Sequence, residues 1–98
     1  MYIMDNRTLK DLLYEQVARV GKALASPKRL EMLEMLAQGE KAVESVAAEV
    51  GMDVKLASAH LKALKEARLV QSRREGKRMV YRLSGKDVAH LGVSLRQV

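Results

Sequence analysis

The sequence predicts a mainly α fold with one small β-hairpin: about five helices and a two-stranded finger, in a single domain over 1–98. Three observations predict it. Apolar residues before Val50 recur at spacings of three and four, the period of helices with one buried face. Two short helical stretches within 45–67 abut across Gly51 and Asp53, a helix-turn-helix arrangement. From Val70 to Leu83 the period becomes two around Glu75-Gly76-Lys77, which is a hairpin.

The elements follow in order. Residues 1–7 read as a lead-in, and Thr8 is the expected N-cap, with Asp11 three residues on. Leu9, Leu12, Leu13, Val17, Val20 and Leu24 then define a long amphipathic helix over 8–25, whose stripe serves as core, dimer seam or both. Ser26-Pro27 starts a second helix over 27–38: Ser caps it, and Pro at the first position forfeits no hydrogen bond. Leu30, Leu33, Leu36 and Ala37 carry its stripe. Met32 and Met35 fall off that stripe and read as flexible filler rather than ligands. Gly39-Glu40 closes the helix, and 41–43 is extended.

In the helix-turn-helix, Val46, Ala47 and Val50 form one stripe, and Gly51 ends the first helix by taking a left-handed conformation. Asp53 caps the second. Val54, Ala57, Leu61 and Leu64 are expected on one buried face of that second helix, with Lys55, Ser58, Ala59 and Lys62 turned away from it. In the hairpin, Met79, Tyr81 and Leu83 face one side and Arg78, Val80 and Arg82 the other. Its tip carries Arg73, Arg74, Lys77 and Arg78 as unpaired positive charge. After Ser84-Gly85, the spacing of Val88, Leu91, Leu95 and Val98 predicts a last helix over 86–98. Its pattern runs to the final residue uncapped, to be completed by a second subunit or by further chain.

With 98 residues and only three aromatics, all Tyr, the core must be built from Leu, Val, Ala and Met. A core this small is marginal, and oligomerisation is a common remedy. The net charge of +6 is unevenly placed. Residues 53–82 hold nine Lys or Arg against three Asp or Glu, whereas 1–52 hold seven against eight. Localised positive charge is the footprint of a polyanion partner.

Cysteine is absent, which excludes disulfides, thiolate metal sites and a cysteine nucleophile. No run approaches the length of a membrane span and no signal-peptide pattern opens the chain, so a cytoplasmic protein is expected. No catalytic motif is legible: Glu31 and Glu34 share a helix face beside Lys28 and Arg29, and neither His60 nor His90 has a catalytic partner nearby in sequence. No enzyme activity and no cofactor are expected.

Three blocks carry a resemblance: SPKRLEMLEMLAQGE (26–40), VAAEVGMDVKLASAHLKALKEARLV (46–70) and SRREGKRMVYRL (72–83). Together they resemble the ArsR-type winged helix-turn-helix repressors over 8–98. The wording also resembles regulators in which such a domain precedes a sulfur-transferase (rhodanese) domain. The resemblance implies a homodimer paired through the first and last helices (8–25 and 86–98), with two recognition helices in successive major grooves. It also points to departures. Metal-sensing members place paired Cys where Ala42 and Glu44 stand here, and Asp87 and His90 lack the second His of another family metal site.

The expected activity is sequence-specific binding of double-stranded DNA at a near-palindromic operator, with half-sites ~34 Å apart. Lys55, Leu56, Ser58 and Ala59 are expected at base edges: Lys donates to guanine, Ser bonds either kind of group, and Leu56 or Ala59 packs on a thymine methyl. His60 and Lys62 are expected on phosphates, and Lys65 either there or in solvent. Arg73, Arg74, Lys77 and Arg78 on the wing are expected on the backbone or in the minor groove. The alternative is a winged helix used for protein association without nucleic acid.

Overall fold

A computed structural model describes residues 5–85. Among them are four helices and three strands: α1 (Asn6–Leu24), α2 (Pro27–Ala37), β1 (Lys41–Ala42), α3 (Val43–Val50), α4 (Val54–Glu66), β2 (Val70–Glu75) and β3 (Arg78–Leu83). The fifth helix expected over 86–98, with Asp87 and His90, lies outside the described residues. The wing is three-stranded rather than two-stranded. β1 pairs antiparallel with β3, giving the order β1-β3-β2. The short extended run after Gly39 thus supplies an edge strand.

Local chemistry sets most boundaries. α1 starts earlier than expected, because Asp5 rather than Thr8 is the cap: its carboxylate accepts from the Thr8 backbone N–H at 2.8 Å. A carboxylate three residues upstream satisfies a free first-turn donor better than a hydroxyl within the helix. Ser26 caps α2 as expected, with Pro27 opening the helix. α3 begins at Val43, two residues ahead of the expected start, without a side-chain cap; its first residues are held by β1 and the core instead. Gly51 ends α3 at φ 70°, and the Met52 N–H closes the turn onto the Ala47 carbonyl at 3.0 Å. Asp53 caps α4 through the Leu56 N–H at 2.8 Å.

The core lies where α2, α3, α4 and the inner face of the sheet meet. Met32, Leu33, Val46, Leu61, Leu64 and Val70 are fully buried in it, with Tyr81 from β3. Met32 and Met35 fill space between elements as expected, fully within the core, because α2 is covered on two sides by α3 and the sheet. Val54 is a correction. As the first residue of α4 it precedes the covered turn and stands exposed, so the buried face is Ala57, Leu61 and Leu64. Truncating Leu61 to Ala costs about 2–5 kcal/mol, as for other fully buried leucines.

α1 divides in two. Val20, Ala23 and Leu24 pack on the core, while Leu9, Leu12, Leu13, Tyr14 and Val17 are open, Val17 at 68% exposure. Gln16 ties the middle of the helix to the end of α4 by donating to the Ala67 carbonyl at 3.3 Å. No described helix is long and apolar enough to cross a membrane. Among the described residues no group of three or more His, Asp or Glu is gathered for a metal ion.

Candidate nucleic-acid interface

α4 presents an open edge. Lys55, Leu56, Ala59 and Lys62 are exposed, and Ser58 is half-buried among them. The sequence chooses this edge, because Ala57, Leu61 and Leu64 anchor the opposite face in the core. With Val54 and Leu56 both open at the first turn, the start of α4 is apolar as well as cationic.

His60 stands apart from the other expected contacts. It is half-buried, and its Nδ1 accepts from Arg29 Nε of α2 at 3.0 Å. Burial, and secondly the Arg29 charge, push its pKa below the ordinary value of 6.5. His60 is therefore a neutral acceptor on that side, with Nε2 left to donate. Lys65 reaches β2 instead of the open edge, donating to the Ser72 hydroxyl at 2.8 Å.

The hairpin register places Glu75 opposite Arg78 across the two-residue turn Gly76-Lys77, with Gly76 at φ 64°. Positive φ at the first of two central residues is the type II′ pattern, which matches the twist of paired strands. Arg74, Lys77 and Arg78 are exposed at this end, and among the described residues none of them makes an ion pair.

Arg73 corrects the expectation of unpaired charge. Its guanidinium bonds both oxygens of Glu40, one of them at 2.7 Å, and also Glu75 Oε2 at 2.7 Å. Register explains this geometry. Arg73 lies beside Val80, and Val80 lies beside Ala42, so the side chain crosses β3 to reach the residue preceding β1. Val80 and Ala42, the register partners along this path, are buried. The hydrogen bonds from Arg73 hold Glu40 below its ordinary pKa, with the charges of Arg73 and Arg82 adding to the effect. Glu40 and Glu75 raise the pKa of Arg73 in return. The pairing of Arg73 with Glu75 was open to a period-two reading of β2; Glu40 was not, because only the third strand brings it near.

Cations also gather where the sequence count is negative. Arg19 and Lys22 of α1 and Arg29 of α2 line a crevice of about 360 Å³ against α4. These residues come from three turns of two helices, and no local motif announces them.

The chain can be set beside known proteins on this geometry. The profile for bacterial regulatory proteins of the arsR family matches residues 26–72. The chain is 57% identical over 82 residues to the HTH-type transcriptional regulator Rv0324 of Mycobacterium tuberculosis, covering 84% of this chain and 36% of that protein. It thus spans about a third of that relative's length. It is 39% identical over 82 residues to the HTH-type transcriptional regulator Rv2034 of the same organism, covering 77% of that protein. Among solved structures it resembles the homodimeric winged helix-turn-helix DNA-binding domain (fragment 1–100) of Mb0332 from Mycobacterium bovis, a possible ArsR-family transcriptional regulator. There the TM-score is 0.82 at 51% identity, covering 98% of this chain and 87% of that one.

Proposed function

The chain belongs to the ArsR family of helix-turn-helix transcriptional regulators, and from that premise we propose that it is a sequence-specific DNA-binding repressor working as a cytoplasmic homodimer. One observation carries the proposal: the open edge of α4 and the open tip of the wing hold cations that no carboxylate among the described residues neutralises.

Lys55 and Ser58 read base edges in the major groove, and Leu56 and Ala59 pack on thymine methyls. Lys62 and the free Nε2 of His60 contact phosphates. Arg74, Lys77 and Arg78 grip the backbone or minor groove beside the wing, setting register and affinity rather than sequence. Arg73, held by Glu40 and Glu75, contributes at most a weak contact. The open apolar half of α1 pairs with a second copy, and the operator is a near-palindrome with half-sites ~34 Å apart. No cysteine-based metal site operates, and any effector acts elsewhere. The resemblance to regulators that carry a rhodanese domain after the DNA-binding one belongs to the same proposal.

A titration of duplex DNA from upstream of the chain's own operon, repeated across a salt series, tests the reading. Affinity should fall steeply and linearly in log–log form as phosphates are neutralised. Binding with no salt dependence, or none at all, would favour protein association instead.

A further inference from the structure

The crevice between α1, α2 and α4 differs from every other cationic surface described above. Its floor is made of the small residues Ala23, Ala63 and Ala67, so backbone and Cβ atoms leave room rather than filling it. Its rim carries Arg19, Lys22 and Arg29 against the single carboxylate Glu66. Among the described residues, Arg19, Lys22 and Glu66 make no ion pair. About 360 Å³ is at the small end of the range for ligand pockets.

Arg29 is the decisive side chain. Arginines at protein surfaces are usually steadied by carboxylates, which cancel their charge, as Glu40 and Glu75 do for Arg73. Arg29 is steadied by the His60 imidazole, a neutral acceptor. That bond uses only Nε–H. The Nη groups keep their four N–H donors and the full positive charge, in the planar fork that suits a carboxylate or phosphate. A cation held rigidly, undischarged and facing a hollow with two more cations on the rim is arranged for an anion.

We propose that this crevice binds a small free oxyanion, a phosphate monoester or a compact polycarboxylate, through Arg29, Arg19 and Lys22. Glu66 favours ligands that also carry a hydroxyl able to donate to it. The floor and one wall of the crevice belong to α4, and Arg29 is bonded to the middle of that helix. Occupancy therefore adjusts the element that presents Lys55 and Ser58; this last step rests on the DNA-binding reading.

The test is calorimetric titration of the whole chain, without DNA, with inorganic phosphate, glycerol 3-phosphate and citrate at low, matched ionic strength. At least one probe should bind saturably, one per chain. Arg19→Gln and Lys22→Met, both at exposed positions, should each weaken it about tenfold or more, the size expected for a lost charge-assisted bond. Arg74→Ala on the wing should leave it unchanged. The proposal is overturned if no probe binds, if the wing variant loses binding equally, or if the rim variants lose none. It is also overturned if the rim variants weaken duplex binding as much as Arg74→Ala while no free probe binds, since the crevice is then a seat for a DNA phosphate. A saturating probe should in addition shift the duplex Kd severalfold. An unchanged Kd with intact probe binding would overturn the coupling alone, and because the first titration contains no DNA, failure of the DNA reading cannot hide there.

Discussion

The wing and the crevice behind α4 both gather arginine and lysine, yet they treat them oppositely. Of the four cations expected at the wing tip, the one farthest from the turn along β2 is neutralised: Arg73 lies between Glu40 and Glu75, clamping β2 across β3 to the approach of β1. Behind α4, Arg29 is fixed by an imidazole and stays charged. Counting charge along the chain ranks the two regions the wrong way for that pair. The difference teaches that a cation's availability depends on what holds it, and that holding partners are brought together by strand and helix packing.

The largest effect should come from the wing tip. Changing Arg74 and Lys77 together to Ala should weaken binding to every duplex alike and lower the magnitude of the salt slope by about 2. If sequence preference changes instead, the tip reads bases and the division between α4 and wing fails. Gly76→Ala comes next: a Cβ at φ 64° costs roughly 1–2 kcal/mol. Urea unfolding should show the loss, and DNA affinity should fall further than stability if the turn aims the tip cations.

His60 gives a pH signature to the other region. Its folded pKa is depressed, so the unfolded chain takes up a proton that the folded chain resists. The stabilisation is present above pH 6.5, the ordinary histidine value, and is lost as pH falls through the lowered one. The urea midpoint should drop over that window, and His60→Gln, which keeps an acceptor for Arg29, should flatten the dependence. A wild-type midpoint that holds steady over the same window would show that burial, with the Arg29 charge second, does not keep the proton off His60. The smallest effect belongs to Arg73→Ala. Exposed ion pairs contribute little, so its melting curve should nearly overlay the wild type. Its salt slope should also stay unchanged, unlike that of Arg74→Ala; a slope as reduced as that of Arg74→Ala would show that Arg73 leaves its carboxylates for DNA.

Periodicity and capping chemistry are local, and they were legible. Ser26-Pro27, Gly51 and Asp53 mark their helix ends because a cap involves only neighbours, and the hairpin limits at Val70 and Leu83 follow from a period of two. One local signal misled: Asp5, not Thr8, caps α1. The other differences fell where distant segments meet. Val54 fits the helical stripe, but the first turn of α4 stands open among the described residues. β1 becomes a strand only because β3 lies beside it.

The candidate site divides in the same way. Which α4 residues face outward follows from 3.6 residues per turn once Ala57, Leu61 and Leu64 are assigned to the core. That Arg73 is neutralised, that His60 serves Arg29, and that Arg19, Lys22 and Arg29 share one hollow required the fold. The sequence by itself determined α1 to α4, the β2–β3 hairpin and the open edge of α4, because those depend on contacts within a few residues, whereas the third strand needed its distant partner β3. Tertiary structure alone decided which charges remain free, because electrostatic partners are chosen by distance in space, and Glu40 and Arg73 lie thirty-three residues apart in the chain.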